Sequence, residues 1–209
     1  MKTKFFIPTI CLGALSLLLA QNLSYAMPGM EMPHSETTKP HPLAKSVGAP
    51  INSSASEFEL TYSADGKTVV FVSTRSGSID SKGNPYSFDI WMSHNVNGVW
   101  QTPVHLGPGI DPTVGPNINT SAWELEPSLS DDGNALYFTR YEPGNLSTGD
   151  LYVVQKIDGV WQAARNWNEV PELPHLNTPT GEEHCPIIAS DSLIYFSYQQ
   201  PGVTQDSDI

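Results

Sequence analysis

The sequence predicts an all-β fold, and three observations support this prediction. Residues 123–138 hold two alternating apolar segments on either side of Asp131-Asp132-Gly133, the pattern of a β-hairpin whose tight turn needs a residue that tolerates positive φ. The same sequence pattern also occurs earlier in the chain. Residues 51–71 align without gaps on residues 118–138, with 10 of 21 positions identical. Between these segments the chain shows no helical periodicity. Short antiparallel strands are therefore expected throughout.

A second block follows each of these two hairpins and also repeats. Residues 89–101 and 150–162 each predict a strand, an Asn-Gly or Asp-Gly turn, and a further strand that opens with Val-Trp. One unit is therefore four short strands with a period of roughly 60 residues, which is typical of propellers and arrays. Four antiparallel strands form the blade of a β-propeller. A β-sandwich is the alternative, but a sandwich does not require the sequence to repeat in successive units.

The predicted domain organisation follows the repeat. Unit one spans residues 51–107, unit two spans 118–167, and a degraded unit three spans 176–209. About two and a half blades are thus expected, whereas closed propellers have roughly four to eight. We therefore expect the chain to be the N-terminal part of a longer propeller, or a truncated product.

Unit two resembles the WD-like propeller repeat of TolB-type periplasmic proteins, E-P-x-x-S-x-D-G-x-x-I/L-x-F-x-S/T-x-R followed by D-I/L-Y/W. The matching positions are Glu126, Pro127, Ser130, Asp132, Gly133, Phe138, Arg140, Asp150 and Tyr152. In unit one Leu60 replaces the proline, and in unit three Cys185 replaces the glutamate and Ser192 the glycine. The resemblance implies a propeller in an exported protein, and it says little about activity because propellers host many functions.

Residues 1–26 are predicted to be a secretory signal. Lys2 and Lys4 precede an apolar run, and Ser24-Tyr25-Ala26 forms a small-x-small cleavage site. A membrane anchor is the alternative, but the run is short for a span. Cys11 would leave with the signal. The mature chain is therefore expected to be periplasmic or secreted, with no membrane span.

Residues 27–50 carry five prolines and few large apolar residues, so they predict a disordered leader. Thioethers and an imidazole in this stretch could bind Cu(I). The possible ligands are Met27, Met30, Met32 and His34. A proline-rich linker in which the methionines are incidental is the favoured interpretation.

The remaining candidate residues each have a structural interpretation that we favour. Asp80 lies in a long polar loop that lacks the spacing of a calcium-binding EF-hand. Cys185 follows His184, and we expect a buried strand cysteine, or one whose disulfide partner is missing, in preference to a reactive thiol. Recurring pairs of Arg and Asp, and glutamates that recur in register, are expected to serve the fold. These residues are Arg75, Arg140, Asp89, Asp150, Glu57, Glu59, Glu124, Glu126 and Glu183.

Aromatic residues in the repeat strands are expected to fill the space between blades. They are Trp91, Trp100, Trp161, Tyr137 and Phe138. The chain has no G-x-S-x-G, H-E-x-x-H, Cys-x-x-Cys or phosphate-loop motif, so we assign no catalytic, cofactor or metal residue. Asn52, Asn119 and Asn145 lie in N-x-S/T sequons, which matter only in a eukaryotic host.

The net charge of the chain limits the classes of partner that it can bind. Without Lys2 and Lys4 the chain keeps 8 basic residues against 22 acidic ones, a net charge of −14. This balance disfavours nucleic acid and anionic membrane surfaces, which attract basic proteins. It is compatible with a partner that carries basic groups.

The sequence therefore predicts a non-enzymatic binding or scaffold module outside the cytoplasm, contacting a protein or an envelope polymer through loops. The first alternative is a propeller-type hydrolase or lyase acting on a glycan, with its site in further blades. A copper-associated protein that uses the leader is the weaker alternative.

Overall fold

A computed structural model describes residues 46–79, 87–107, 118–190, 193–200 and 207–208. The predicted signal, the copper candidates of the leader, and Asp80 lie outside the described residues. All of the strands below belong to one compact unit, Gly48–Ile209. The part of the chain that the structure describes contains no helix that could span a membrane.

Sheet one is an antiparallel sheet of five strands. They are β1 (Glu57–Tyr62), β2 (Thr68–Ser73), β3 (Asp89–Val96), β4 (Val99–Trp100) and β5 (Val104–His105). The order is β1-β2-β3, and both β4 and β5 pair with β3. Residues 99–105 thus act as one interrupted fourth strand.

Sheet two has the same arrangement. Its strands are β6 (Trp123–Leu129), β7 (Ala135–Glu142), β8 (Asn145–Ile157), β9 (Val160–Trp161) and β10 (Arg165–Asn166). The order is β6-β7-β8, and β9 and β10 both pair with β8. A 3-10 turn, Trp167–Glu169, follows β10. The predicted antiparallel strands are present in both units, but each sheet has five strands because the fourth is interrupted, and β8, with 13 residues, is longer than predicted.

Sheet three consists of β11 (Glu182–Ser190), β12 (Leu193–Gln199) and β13 (Ser207–Asp208). Asp208 pairs with Tyr198 as Asp89 pairs with Ser73 in sheet one, so β13 is the start of a third strand. The described residues are therefore all-β with antiparallel pairing, apart from the single 3-10 turn.

The turns have the geometry that their residues predict. Gly66 and Gly133 have φ of 67° and 71°, values that cost a residue with a Cβ more than glycine. Asn97-Gly98 and Asp158-Gly159 have positive φ at both positions, as a two-residue hairpin of type I′ requires. The corresponding turn of sheet three, at residues 191–192, lies outside the described residues.

The core lies between the sheets. Val70, Ile90 and Met92 of sheet one share a buried cluster with Leu136 and Phe138 of sheet two. A second cluster joins sheet two to Leu176, Ile194 and Phe196. Of the aromatic residues predicted to be core, Trp91, Trp161 and Phe138 are buried, and Trp100 and Tyr137 are partly buried. Consecutive sheets therefore pack face to face.

Candidate functional site

The first strand of each sheet carries a β-bulge at the same place. The pairing register shifts between Phe58 and Thr61 in β1, and likewise between residues 125 and 128 in β6 and between 184 and 187 in β11. The bulged residues are Glu59, Glu126 and Cys185, with φ of 53°, 58° and 53°. Positive φ is uncommon for residues other than glycine, and it persists where the surrounding structure holds it.

The bulges hold the sheets to one another. Glu59 accepts a hydrogen bond from the backbone N–H of Glu126 at 2.7 Å, and Glu126 accepts one from the backbone N–H of Cys185 at 2.7 Å. Two residues further on, Thr61 accepts from the N–H of Leu129 at 3.3 Å. We call this set of contacts, with its counterpart between the second and third sheets, the bulge ladder.

That counterpart completes the second step of the ladder. Ser128, which corresponds to Thr61, accepts a hydrogen bond from the N–H of Ile188 at 3.2 Å. In each step, an acidic side chain and a hydroxyl of one sheet thus accept two N–H groups of the next. Buried backbone donors need such partners, so the ladder sets how consecutive first strands align.

Glu126 is the most heavily bonded residue of the ladder. One carboxylate oxygen accepts from the Thr139 hydroxyl at 2.8 Å and the Tyr141 hydroxyl at 3.1 Å, besides the N–H of Cys185. Nδ1 of His184 lies 3.9 Å from the other oxygen. Burial alone would raise the pKa of Glu126, but His184 and these hydrogen bonds outweigh it and hold the pKa below its usual value.

The pKa values of Glu59 and His184 are raised, in the opposite direction to that of Glu126. Burial, reinforced by the charge of Glu126, raises the pKa of Glu59 to about 7. Burial would lower the pKa of His184, but the neighbouring Glu126 carboxylate outweighs it and the pKa is raised. The ladder therefore contains groups that change charge near neutral pH.

A second carboxylate in each first strand is held by the residues that precede the strand. Glu124 accepts from the backbone N–H of Thr120 at 3.1 Å and from its hydroxyl at 2.7 Å. Thr178 binds Glu183 in the same way at 3.0 and 2.8 Å, and Ser53 uses the same two groups on Glu57. The glutamates that recur in register thus have the fold-supporting role that the sequence predicted.

The recurring arginines pair with these glutamates. Arg140 donates to Glu124 at 2.9 Å and to the carbonyl of Ile118 at 2.9 Å. Arg75 donates to Glu57 at 3.0 Å and also to the carbonyl of Ile51. Arg140 lies within β7, and Arg75 follows β2. The structural role is therefore as predicted, but the partner is a glutamate of the first strand.

The aspartates of the third strands bind the fourth strands instead. Asp89 opens β3 as predicted, but Asp150 lies within β8, which begins at Asn145. Asp89 lies 2.5 Å from Nε2 of His105, and Asp150 accepts from the side chain of Asn166 at 3.1 Å. His105 and Asn166 occupy equivalent positions of β5 and β10, each separated from the first strand of its sheet by two other strands. A contact that returns in both sheets serves the sheet and not a unique site.

An asparagine that precedes sheet two, and another that precedes sheet three, each hydrogen-bond to the backbone of the preceding sheet through both side-chain groups. We call this contact the clasp. Asn119 accepts from the N–H of Ile90 at 2.8 Å and donates to its carbonyl at 2.8 Å. Asn177 makes the same two bonds to Leu151 at 2.8 and 3.0 Å. Asn119 is 1% exposed, so its sequon is inaccessible in the fold, whereas Asn145 is exposed. Sequence reasoning missed this clasp, although the asparagine recurs in all three aligned segments.

We expect Asn119→Ala to lower the free energy of unfolding by about 2 kcal/mol, because it leaves the buried N–H of Ile90 without an acceptor and removes one of the two donors to its carbonyl, which keeps the N–H of Leu106. Urea denaturation followed by tryptophan fluorescence measures the change. Asn145→Ala, at an exposed position, is the control and should change stability by less than about 0.5 kcal/mol. Equal effects of the two variants would contradict the clasp.

Three potential metal ligands meet at the second step of the ladder. A carboxylate oxygen of Glu126, a ring nitrogen of His184 and the sulfur of Cys185 lie within 4.8 Å of one another. Cys185 is 7% exposed, which confirms the expected buried strand cysteine, but it is disulfide-bonded, so the alternative of a missing disulfide partner is wrong and the sulfur is not a thiolate ligand. Two ligands remain, and we assign no metal to them.

Five carboxylates of the first strands are thus engaged in bonds that build or join sheets: Glu57, Glu59, Glu124, Glu126 and Glu183. The sequence matches no known protein family model and no curated protein. These contacts stack similar sheets in series and place their turns side by side.

Proposed function

We propose that this chain is an exported, non-enzymatic binding or scaffold module that stacks its sheets as the blades of a β-propeller of the TolB type. The observation that supports it is the bulge ladder, because the same donors and acceptors join sheet one to sheet two and sheet two to sheet three. Serial, equivalent contacts between four-stranded sheets are what a ring of blades requires. The predicted signal at residues 1–26 supports export.

The partner contacts one edge of the stacked sheets, where the turns between first and second strands lie. The N–H of Ala64 donates to the carbonyl of Asp131 at 3.1 Å, so these turns of the first two sheets touch. The turns between third and fourth strands lie at the same edge, since consecutive turns of an antiparallel sheet alternate between edges. We call this edge the turn edge.

Its chemistry favours a partner with basic groups. Asp65, Asp131, Asp132 and Asp158 are exposed there. A groove of about 350 Å³ on sheet two has the side chains of Asn134, Tyr137, Gln155 and Lys156 in its lining. Acidic turns beside a polar groove suit a protein or envelope polymer that carries cationic groups.

The test is capture of envelope components by the immobilised chain and by two charge-matched variants. Asp131→Asn with Asp158→Asn removes two charges from the turn edge, and Asn already occupies the position equivalent to Asp158 in sheet one, at Asn97. Glu142→Gln with Glu172→Gln removes two exposed charges elsewhere. We expect a basic partner, identified by mass spectrometry, whose recovery falls at least about tenfold with the first variant and not with the second.

Recovery of no specific component would contradict the binding function. Recovery that falls equally with both variants would contradict the turn edge as the binding face. Raising the salt concentration should weaken capture by the unmodified chain, because exposed charges are screened.

A further inference from the structure

The turn between β3 and β4 carries the only Asn-Gly pair in the sequence, Asn97-Gly98. An asparagine before glycine is chemically reactive, because the backbone nitrogen of the glycine can attack the side-chain carbonyl carbon of the asparagine. Glycine has no Cβ that hinders the approach of the two groups. In a folded protein the reaction also requires that the pair is exposed and that neither group is held by another partner.

The Asn97-Gly98 turn is exposed and loosely packed. Asn97 and Gly98 are both exposed, and the flanking Val96 and Val99 are 51% and 63% exposed. A Cβ added to Gly98 would have no atom within 4 Å. The turn therefore has few buried contacts that oppose a local change of conformation, and water reaches both residues.

Both reacting groups are available. Among the described residues, none hydrogen-bonds to the Asn97 side chain or to the N–H of Gly98. The turn is closed by the pairing of Val96 with Val99 on either side of it. The hairpin therefore forms without using the two groups that would have to react.

The Asp-Gly turn between β6 and β7 is protected by comparison. The N–H of Gly133 donates to the carbonyl of Ser130 at 2.9 Å. The Asp132 carboxylate accepts from the Ser130 hydroxyl at 2.6 Å and from the N–H of Asn134 at 2.9 Å. The turn between β1 and β2 has the same contacts. The nitrogen and the side chain are engaged in these turns, whereas at Asn97-Gly98 they are not.

We propose that Asn97 is a site of spontaneous deamidation, which converts this turn of sheet one from neutral to acidic. The Gly98 nitrogen loses its proton to solvent base and bonds to Cγ of Asn97. The bond from Cγ to the side-chain nitrogen breaks, and ammonia leaves. Water then opens the resulting five-membered succinimide. Addition of water at Cγ gives aspartate, and addition at the backbone carbonyl carbon gives isoaspartate.

Sheet two shows that the fold accommodates the aspartate product. Asp158-Gly159 occupies the equivalent turn with φ of 50° and 80°, and Asn97-Gly98 has φ of 52° and 84°. Aspartate at position 97 thus keeps the hairpin and adds a negative charge to the turn edge, where Asp158 is already exposed. Isoaspartate adds a carbon atom to the main chain, and it therefore disturbs a two-residue turn whose length fixes the strand register.

This inference concerns a covalent modification and does not rest on the binding function proposed above. The test is incubation of the folded chain at pH 5 and at pH 8, then digestion in acid and peptide mapping by mass spectrometry. The reaction should be faster at pH 8, because the attacking nitrogen must lose its proton. Ammonia release and a more acidic chain on anion exchange accompany it.

Asn145 is the internal control, because it is exposed but is followed by Leu146, and its side chain accepts the N–H of Ser147 at 3.1 Å. We expect the deamidated fraction at Asn97 to be at least about tenfold that at Asn145, since Gly98 has no Cβ to hinder attack. Asn97→Asp supplies the product. It should co-elute with the acidic species of the incubated chain and should unfold at the same urea concentration as the unmodified chain.

A parallel incubation in urea separates the effect of the fold from that of the sequence. Modification of Asn97 in urea but not in the folded chain would overturn the proposal, because the hairpin would then protect the pair. Equal deamidation of Asn97 and Asn145 in the folded chain would also overturn it, since the turn would then confer no selectivity.

Discussion

Arg140→Met is expected to lower the free energy of unfolding by about 3 kcal/mol, the largest effect of a single substitution that the structure predicts. The Glu124 carboxylate is fully buried, and Arg140 lies 2.9 Å from it with 17% of its own side chain exposed. Burial raises the pKa of Glu124 to about 7 even beside Arg140, so removing the guanidinium raises that pKa further and converts the group to a neutral acid that has lost its ion pair and hydrogen bond. The substitution also removes the donor to the carbonyl of Ile118.

Methionine keeps much of the apolar contact that the arginine makes. The Arg140 guanidinium stacks 4.1 Å above the ring of Tyr152, and an unbranched apolar side chain can fill that space. The measured loss therefore reports mainly the ion pair and the hydrogen bonds. Urea denaturation at pH 7 measures it.

Lys67→Met is the matched control, because Lys67 forms an ion pair with Asp65 in which both side chains are more than half exposed. Such a pair contributes about 0–1 kcal/mol. Losses of similar size in the two variants would show that burial of Glu124 does not increase the contribution of its ion pair to stability.

The local features of the fold could be predicted from the sequence because their causes are local. Asp-Gly and Asn-Gly turns such as Asn97-Gly98 fix a hairpin through the positive φ that they tolerate. Val-Trp after the turn supplies the next strand at β4 and β9. Each of these signals lies within a few residues of the structure that it produces.

The contacts between sheets could not be predicted in this way. Glu59 and the N–H of Glu126 are 67 residues apart, and the alignment shows that the two glutamates are equivalent without showing that they touch. Glu124 and Glu126 would point to the same face of a regular strand. The bulge at Glu126 turns one toward Arg140 and the other toward sheet three.

The partners of the arginines could not be predicted from the repeat either. Arg140 and Asp150 recur together and are paired across β7 and β8. The guanidinium nevertheless binds Glu124, because that carboxylate is buried with it and the carbonyl of Ile118 completes the site. Recurrence identifies residues that serve the fold, but burial decides which of them meet.

Stability is expected to fall as the pH rises from about 5 to about 8, through the groups at and beside the bulge ladder. Burial raises the pKa of Glu59 to about 7, and burial of Glu124 outweighs Arg140 and raises its pKa to about 7 as well, from 4.5 for an exposed carboxyl. The folded state thus binds these protons more tightly than the unfolded state. Their stabilisation is complete below pH 4.5 and is lost as the pH rises through 7.

His184 changes the stability in the same direction. Its pKa is raised above 6.5 in the folded state, so its contribution is present below that pH and is lost as the pH rises through the folded value. Glu57 and Glu126 have lowered pKa values and act in the opposite direction, since their contribution is lost as the pH falls below 4.5. The stability maximum should therefore lie near pH 5.

Glu59→Gln tests the assignment to the ladder. The glutamine oxygen can still accept the N–H of Glu126, but it carries no charge next to that carboxylate. The variant should match the unmodified chain at pH 5, where Glu59 is protonated. At pH 8 it should be more stable, by on the order of 1–3 kcal/mol.

Thermal and urea unfolding at pH 5, 6.5 and 8 measure the slope, and Glu172→Gln at an exposed position controls for the loss of one carboxylate. An unchanged slope in Glu59→Gln would place the pH dependence elsewhere. A flatter slope would show that burial of Glu59 between sheets one and two, and not net charge, makes the stacking of these sheets sensitive to pH, because the control removes the same charge without touching the ladder.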